Sequence, residues 1–331
     1  MKLRNLLVLS FLVLGFSCGP ISERKQPPPS LERLASMDLN LDGEQLANAY
    51  CAACHIKPEP EILDKKTWEN KVLPDMRKRM GLTLPEDFGQ PLPEDLGVPP
   101  GVYSQTQLIR SKDWDKIYAY YLENAPENPL PQADKEMPKT GIPGFEVTRP
   151  EFSRIKGNLS TMLRVHPRTG DLWLGDRLQA IYIIDSQNSF AVKDSIFTEV
   201  APVDIIWSQD DSFELLTMGR MDPSTDTLGK VQRFLNVGSA WESAELLTKL
   251  IRPVNLAVAD WNGDGERDRV VSQFGDHLGK LSIYLSGSSG AKETILKAVP
   301  GARRTLAVDF DQDGDLDVLG LIAQAQEGVY V

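Results

Sequence analysis

The sequence predicts a multidomain chain: an all-α unit over residues 38–125, then an all-β unit of repeated strand–turn–strand modules over residues 151–331. Three observations carry this. Apolar residues in the first stretch recur at helical spacing. Pro126, Pro129, Pro131, Pro138, Pro143 and Pro150 then give residues 126–150 the composition of a linker. Beyond them, short β-branched and leucine-rich runs alternate with turn residues, and one acidic loop pattern occurs twice. A chain of 331 residues has room for two domains. The net charge of −11 argues against a nucleic-acid-binding surface, because neutralising phosphates needs clustered Lys and Arg.

The N-terminus has a separate logic. Lys2 and Arg4 precede an apolar run at residues 6–16 that is too short to span a bilayer comfortably. This is the layout of an export signal over residues 1–17. The following "LGFSC" resembles the lipobox of bacterial lipoproteins. It departs from the usual box in having Gly15 where Leu is common and Leu14 one position further back, as in the looser boxes of Bacteroidota. The resemblance implies lipidation of Cys18 and an outer-membrane anchor facing the periplasm or the cell surface. An ordinary secretory signal is the alternative. Residues 18–37 are polar and Pro-rich and read as a flexible tether.

The stretch "AYCAACHIKPEP" at residues 49–60 holds two cysteines three apart and a histidine. Apart from Cys18, the chain has no other cysteine. A structural zinc site wants four ligands, and the remaining histidines, His166 and His277, fall in the β region. A thioredoxin-like motif needs a βαβ setting that is missing here. The other reading is C-x-x-C-H, covalent haem attachment: Cys51 and Cys54 take the two vinyl groups and His55 becomes the proximal iron ligand. A disulfide in an exported protein is the competing account.

Upstream, Leu46, Ala49 and Tyr50 form one face of a helix running into the motif. Downstream, Trp114, Ile117, Tyr118, Tyr121 and Leu122 make an amphipathic stripe with Ser111 as its expected cap and Pro126 after its end. Gly43, Leu46 and Tyr50 followed by C-x-x-C-H resemble the N-terminal helix of class I cytochromes c, and the second helix is similar to the one that crosses it there. A six-coordinate carrier in that family closes the iron with methionine. Trp68, Val72, Met76 and Met80 share an i, i+4 row, and Pro74 is expected to shape a turn. Met76, two residues after Pro74, resembles the Pro-x-Met element that presents the distal ligand. Met80 is the alternative, and Met37 a weaker third. The near-duplicate "LPEDFG" and "LPEDLG" read as an acidic surface loop.

In the β region, "LAVADWNGDGERDRVVSQF" and "TLAVDFDQDGDLDVLGLI" share the form strand, D-x-[DN]-x-D-G-x-x-D, strand. Asp260, Asn262, Asp264 and Asp268 align with Asp309, Asp311, Asp313 and Asp317. Alternate oxygens in a tight, glycine-bearing loop suit a hard cation, although a solvated acidic turn shares the pattern. Val271 and Gly320 stand where an EF-hand would place its Glu. The loops resemble the calcium loops of FG-GAP/VCBS repeats, which implies propeller blades, bound calcium and main-chain contact from Glu266 and Asp315. Two fainter units precede them, and Asp171, Glu214, Asp268 and Asp317 recur at intervals of about 50 residues, as propeller blades do. Four units suggest a partial propeller, with further blades expected beyond "EGVYV". His166 and His277 read as loop-stabilising residues.

Three functions follow as expectations. The first is an exported, lipid-anchored monohaem cytochrome that passes single electrons to a redox partner protein, with the calcium-bearing propeller as docking platform and no bond-making chemistry. The second is a propeller dehydrogenase, with a quinone as one cofactor option, feeding its fused haem. The third is a surface module binding glycans or proteins, with the haem ancillary. No nucleic-acid partner is expected, and membrane contact is through the lipid alone.

Overall fold

Among the helices, the one entering C-x-x-C-H starts where its sequence says it should. Asp42 caps α2 (Gly43–Tyr50): its carboxylate accepts from Gln45 N at 2.8 Å, and the Gln45 side chain accepts from Asp42 N at 3.2 Å. This reciprocal box satisfies two donors that a helix start leaves open. The computed structural model describes residues 31–85, 106–137, 139–146, 159–210, 212–238, 240–288, 290–324 and 326–331. The export signal, Cys18 and nearly all of the acidic loop lie outside them.

A short α1 (Leu31–Ala35) precedes α2, and Leu31 packs on the helical core. This helix falls within the last part of the stretch read as a tether. After α2, the chain tightens into a 3₁₀ turn at Cys51–Ala53, and α5 (Ser111–Asn124) closes the unit. Leu46, Ala47 and Tyr50 of α2 meet Trp114, Ile117 and Tyr121 of α5. Ala47, not Ala49, is the fully buried alanine of α2. Gly43 lies where α2 touches α5: a Cβ there would come within 2.3 Å of Lys116 O and 2.6 Å of Tyr120 Cβ. Ser111 does not cap α5. Arg110 holds the cap position without a side-chain bond, and its guanidinium instead pairs with buried Asp113 at 2.7 Å. Arg110 and Lys112 also grip Asp38, at 3.2 and 2.7 Å.

The segment around Pro74 corrects a second expectation. No turn forms there. The chain stays helical through α3 (Lys65–Thr67), a π turn at Trp68–Val72 and α4 (Leu73–Arg79). Leu73 N–H bonds Trp68 O, five residues back. Proline has no N–H to give to the fourth residue before it, and the wider turn just upstream accommodates that loss. The i, i+4 row is broken as a result: Trp68, Leu73 and Met80 are buried, whereas Val72 and Met76 are half-buried. Residues 126–137 and 139–146 carry no helix or strand.

The β region forms four antiparallel sheets in chain order. β1 (Ser160–Val165) to β4 (Ala191–Phe197) make the first. β5 (Pro202–Trp207) to β8 (Ala240–Leu250) make the second. β9 (Pro253–Ala259) to β12 (Lys292–Lys297) make the third. β13 (Ala302–Val308), β14 (Asp317–Ile322) and β15 (Gly328–Tyr330) make the fourth. Every neighbour in each sheet is the next strand in sequence, so each sheet is a meander.

Apolar layers lie between successive sheets. Trp173 and Ile181 of the first sheet meet Ile205 and Phe213 of the second. Leu216 and Val231 meet Leu256 and Val271 of the third, and Val270 and Leu281 meet Ala302 and Ile322 of the fourth. Polar ties run through the same seams. Buried Asp204 on β5 accepts from Arg164 of the first sheet at 2.6 Å and from Asn255 Nδ2 of the third at 2.6 Å. Asn255 Oδ1 accepts from Thr305 N of the fourth at 2.7 Å. Glu214 and Arg269 form a two-pronged pair between sheets two and three, at 2.8 and 2.9 Å.

Candidate functional site

Cys51, Cys54, His55, Met76 and Met80 line one cavity of about 460 Å³ in the helical unit. The rest of its wall is largely apolar, with Trp68, Leu73 and Trp114 among the contributors. Met37 is not part of that wall and is exposed. Both cysteines are free thiols. Burial pushes each thiol above its ordinary range, so both are protonated at neutral pH. His55 Nδ1 lies 2.8 Å from Ile56 O. A carbonyl only accepts, so Nδ1 carries a proton, and in the neutral ring Nε2 keeps the lone pair a metal would need. The loop after the motif is pinned by two donors from the core: Tyr121 Oη to Pro58 O and Trp68 Nε1 to Pro60 O, each at 2.8 Å. The Trp68 and Tyr121 rings lie tilted at 45° to each other with centroids 4.5 Å apart. Tyr50 Oη, also in the cavity wall, is buried without a hydrogen-bond partner among the described residues.

The two acidic loops differ. In the second, Asp309, Asp311 and Asp317 bring one carboxylate oxygen each to within 4.8 Å of one another, the one such acid grouping among the described residues. Asp309 Oδ1 is buried with no hydrogen-bond partner among the described residues. Gly314 N and Phe310 N donate to Asp309 and Asp317, at 3.2 and 2.9 Å. Asp313 stands outside this trio and accepts from Asp315 N at 3.0 Å.

In the first loop, Asp260 accepts from Asp264 N and Gly265 N, and Asn262 Nδ2 donates to Asp264 at 2.9 Å. Asp264 Oδ1 accepts from Glu266 N at 2.8 Å. Asp268 is fully buried, accepting from Trp261 N and Ser286 N. Asp268 and Asp317 each open the second strand of their sheet, which is why the spacing repeats.

The histidines behave as loop residues. His166 Nδ1 accepts from Thr169 N at 3.2 Å, and desolvation lowers the ring's pKa. His277 lies 3.5 Å from Asp276. What the sequence reading missed is a cleft between the first two sheets, lined by Trp173, Trp207 and Trp241. These residues come from β2 (Leu172–Asp176), β5 and β8, and no local spacing links them.

Residues 260–320 match the family model for the FG-GAP-like repeat. That span runs from the first acidic loop into the strand after the second. With four meander sheets stacked in chain order, the β region has the four-blade arrangement of a β-propeller, a fold suited to binding and docking. No curated protein matches the chain.

Proposed function

We propose that this protein is an exported, lipid-anchored monohaem c-type cytochrome that carries single electrons, with its propeller as a calcium-bearing docking platform. One observation carries the reading: both thiols and the histidine of C-x-x-C-H face the same apolar cavity as two methionines. The donor set suits haem c. Two thiols three residues apart suit the vinyl groups, Nε2 of His55 has its lone pair, and a thioether stands ready in the same wall. The unpaired Tyr50 Oη in that wall is a polar atom without a purpose in the bare protein.

Cys51 and Cys54 would hold the group covalently, and His55 and Met76 would ligate its iron, with Met80 the alternative to Met76. Haem, when bound, supplies an iron centre that changes charge by one. The chain's own part is to fix His55 through its Nδ1–H to Ile56 O, to keep water from the site with Trp68, Leu73 and Trp114, and to hold the loop at residues 56–62 in place. In the propeller, Asp309, Asp311 and Asp317 would hold calcium, with Asp313 and the Asp315 carbonyl completing the shell. Asp260, Asn262, Asp264, the Glu266 carbonyl and Asp268 would do the same in the other loop. Cys18 would carry the lipid.

The test is a denaturing gel of the exported protein stained for haem peroxidase activity. A stained band at the chain's mass is expected, lost in Cys51→Ala/Cys54→Ala. An unstained wild-type band ends the proposal.

A further inference from the structure

The loop that leaves C-x-x-C-H is clasped by two neighbouring tyrosines of α5. Tyr121 Oη donates to Pro58 O at 2.8 Å. Tyr120 presents its ring to Lys57, whose Nζ lies 5.7 Å from the ring centroid and pairs with Glu59 at 2.9 Å. The Lys57 side chain is 9% exposed, so this cation belongs to the clasp and not to the solvent. Trp68 Nε1 holds Pro60 O further along. Tyr121 is itself held in place: it is buried, with the Trp68 ring at 4.5 Å and Tyr120 edge-on at 5.4 Å.

Two features make this more than the partner any buried phenol finds. The first is where the hydroxyl sits. It is close enough to Cys51 to hydrogen-bond with that residue, which opposes the burial that raises the thiol's pKa. One hydroxyl thus reaches the first cysteine of the motif and a carbonyl of the loop beyond its histidine. The second feature is stiffness. Lys57 and Glu59 each precede a proline, which restricts them to extended backbone, and each proline fixes its own φ. Glu59 is extended accordingly, at φ −76° and ψ 147°. Only Ile56 and Lys57 separate His55 from Pro58, and Ile56 O is the acceptor for His55 Nδ1–H. A link this short and stiff carries a displacement at Pro58 through to the carbonyl that orients the imidazole.

We infer that Tyr121 is a positioning residue for His55: its hydroxyl locks the loop that supplies the His55 acceptor, and so sets how strongly the imidazole binds iron. The inference rests on the haem reading above. A hydrogen bond from Nδ1–H to a carbonyl makes the ring a more basic ligand. A more basic ligand favours the more highly charged, oxidised iron. Releasing the loop therefore raises the midpoint potential.

The test is Tyr121→Phe in the full exported chain, which keeps the ring and removes the hydroxyl. Tyr118→Phe is the control, on the same helix but outside the cavity wall. A redox titration followed in the haem absorption bands is expected to show the reduced-to-oxidised ratio at fixed poise raised about tenfold in Tyr121→Phe, the lower end for a lost outer-shell partner and about 59 mV in midpoint. Tyr118→Phe is expected to titrate as wild type. Deuterium exchange at the Ile56 and Lys57 amides is expected to quicken in Tyr121→Phe alone. A packing role for Tyr121 would lower the melting temperature and leave the potential in place. Should Tyr121→Phe not retain haem, Pro58→Ala, which keeps the carbonyl but frees the backbone leading to Ile56, decides by the same titration, with a raised potential expected. The inference is overturned by an unmoved potential in the stained variant, or by an equal shift in Tyr118→Phe. An unstained wild-type band removes the haem reading and this inference with it, whereas a stained band with an unmoved potential removes this inference alone.

Discussion

Met76 and Met80 share a cavity wall but do different physical work. Met80 is buried in the helical core, and Met76 is half-buried beside it. On the proposed reading, Met76→Ala abolishes the weak red-end absorption band that reports iron–sulfur ligation. Met80→Ala keeps the band but destabilises the fold by about 2–5 kcal/mol, as truncation of a core methionine does. The opposite pattern in spectra of the two variants would reassign the ligand to Met80. Asp38 offers a separate test by pH. A hydrogen bond from Lys112, then one from Arg110, lowers its pKa to about 2. A lowered carboxyl pKa stabilises the fold above the ordinary value of 3.8 and loses that contribution as the pH falls through the lowered one. A carbon-detected NMR titration is expected to place the Asp38 midpoint near 2, and the Arg110→Ala/Lys112→Ala double variant to return it to the ordinary value. A wild-type midpoint at 3.8 would show that the two cations do not hold it.

At the scale of elements, the contact of α2 with α5 depends on a missing side chain. A methyl group at Gly43 meets backbone at Lys116, which cannot swing aside. Gly43→Ala is therefore expected to lower stability by about 1–3 kcal/mol, the range for overpacking, despite alanine's better helix propensity. A denaturant midpoint equal to wild type or higher would contradict the contact. The acidic loop between β13 and β14 carries the second element-scale prediction. If its three converging carboxylates hold calcium, an ion at one hundred times its dissociation constant adds about 2.7 kcal/mol. Melting with and without chelator should show a calcium-dependent rise, most of it lost in Asp309→Ala. A melt indifferent to calcium would leave the loop as a solvated acidic turn.

How much of this was legible differs by element. The wall of the helical cavity could be read because its reactive residues lie within five consecutive positions, and the amphipathic stripe of α5 because its period is local. The acidic loops could be read because each ligand set is contiguous. The π turn could not, since nothing in "TWENKVLP" distinguishes a five-residue hydrogen bond from a four-residue one. Nor could the Arg110–Asp113 pair that replaces the Ser111 cap, or the cleft assembled from strands of two different blades.

At the scale of the whole molecule, the helical unit and the propeller each have their own core, and among the described residues no buried cluster mixes the two. Calorimetry of the full chain is expected to show two transitions, of which calcium raises one and leaves the other in place. A single transition that shifts as one would mean the parts fold as a unit. The propeller's transition should itself be cooperative across blades, because Asp204 and Asn255 tie all four sheets together.

The wide turn at Trp68–Val72 has a consequence for the far end of that helix. Each residue of an α-helix advances the winding by about 100°. The π turn absorbs one extra residue, so an all-α version of the same segment, with the same number of residues, would arrive at its last turn out of phase by that amount. Both thioethers would then swing round the axis, away from the wall they now share with His55. A single loosened coil upstream thus sets the compass bearing of the sulfur atoms.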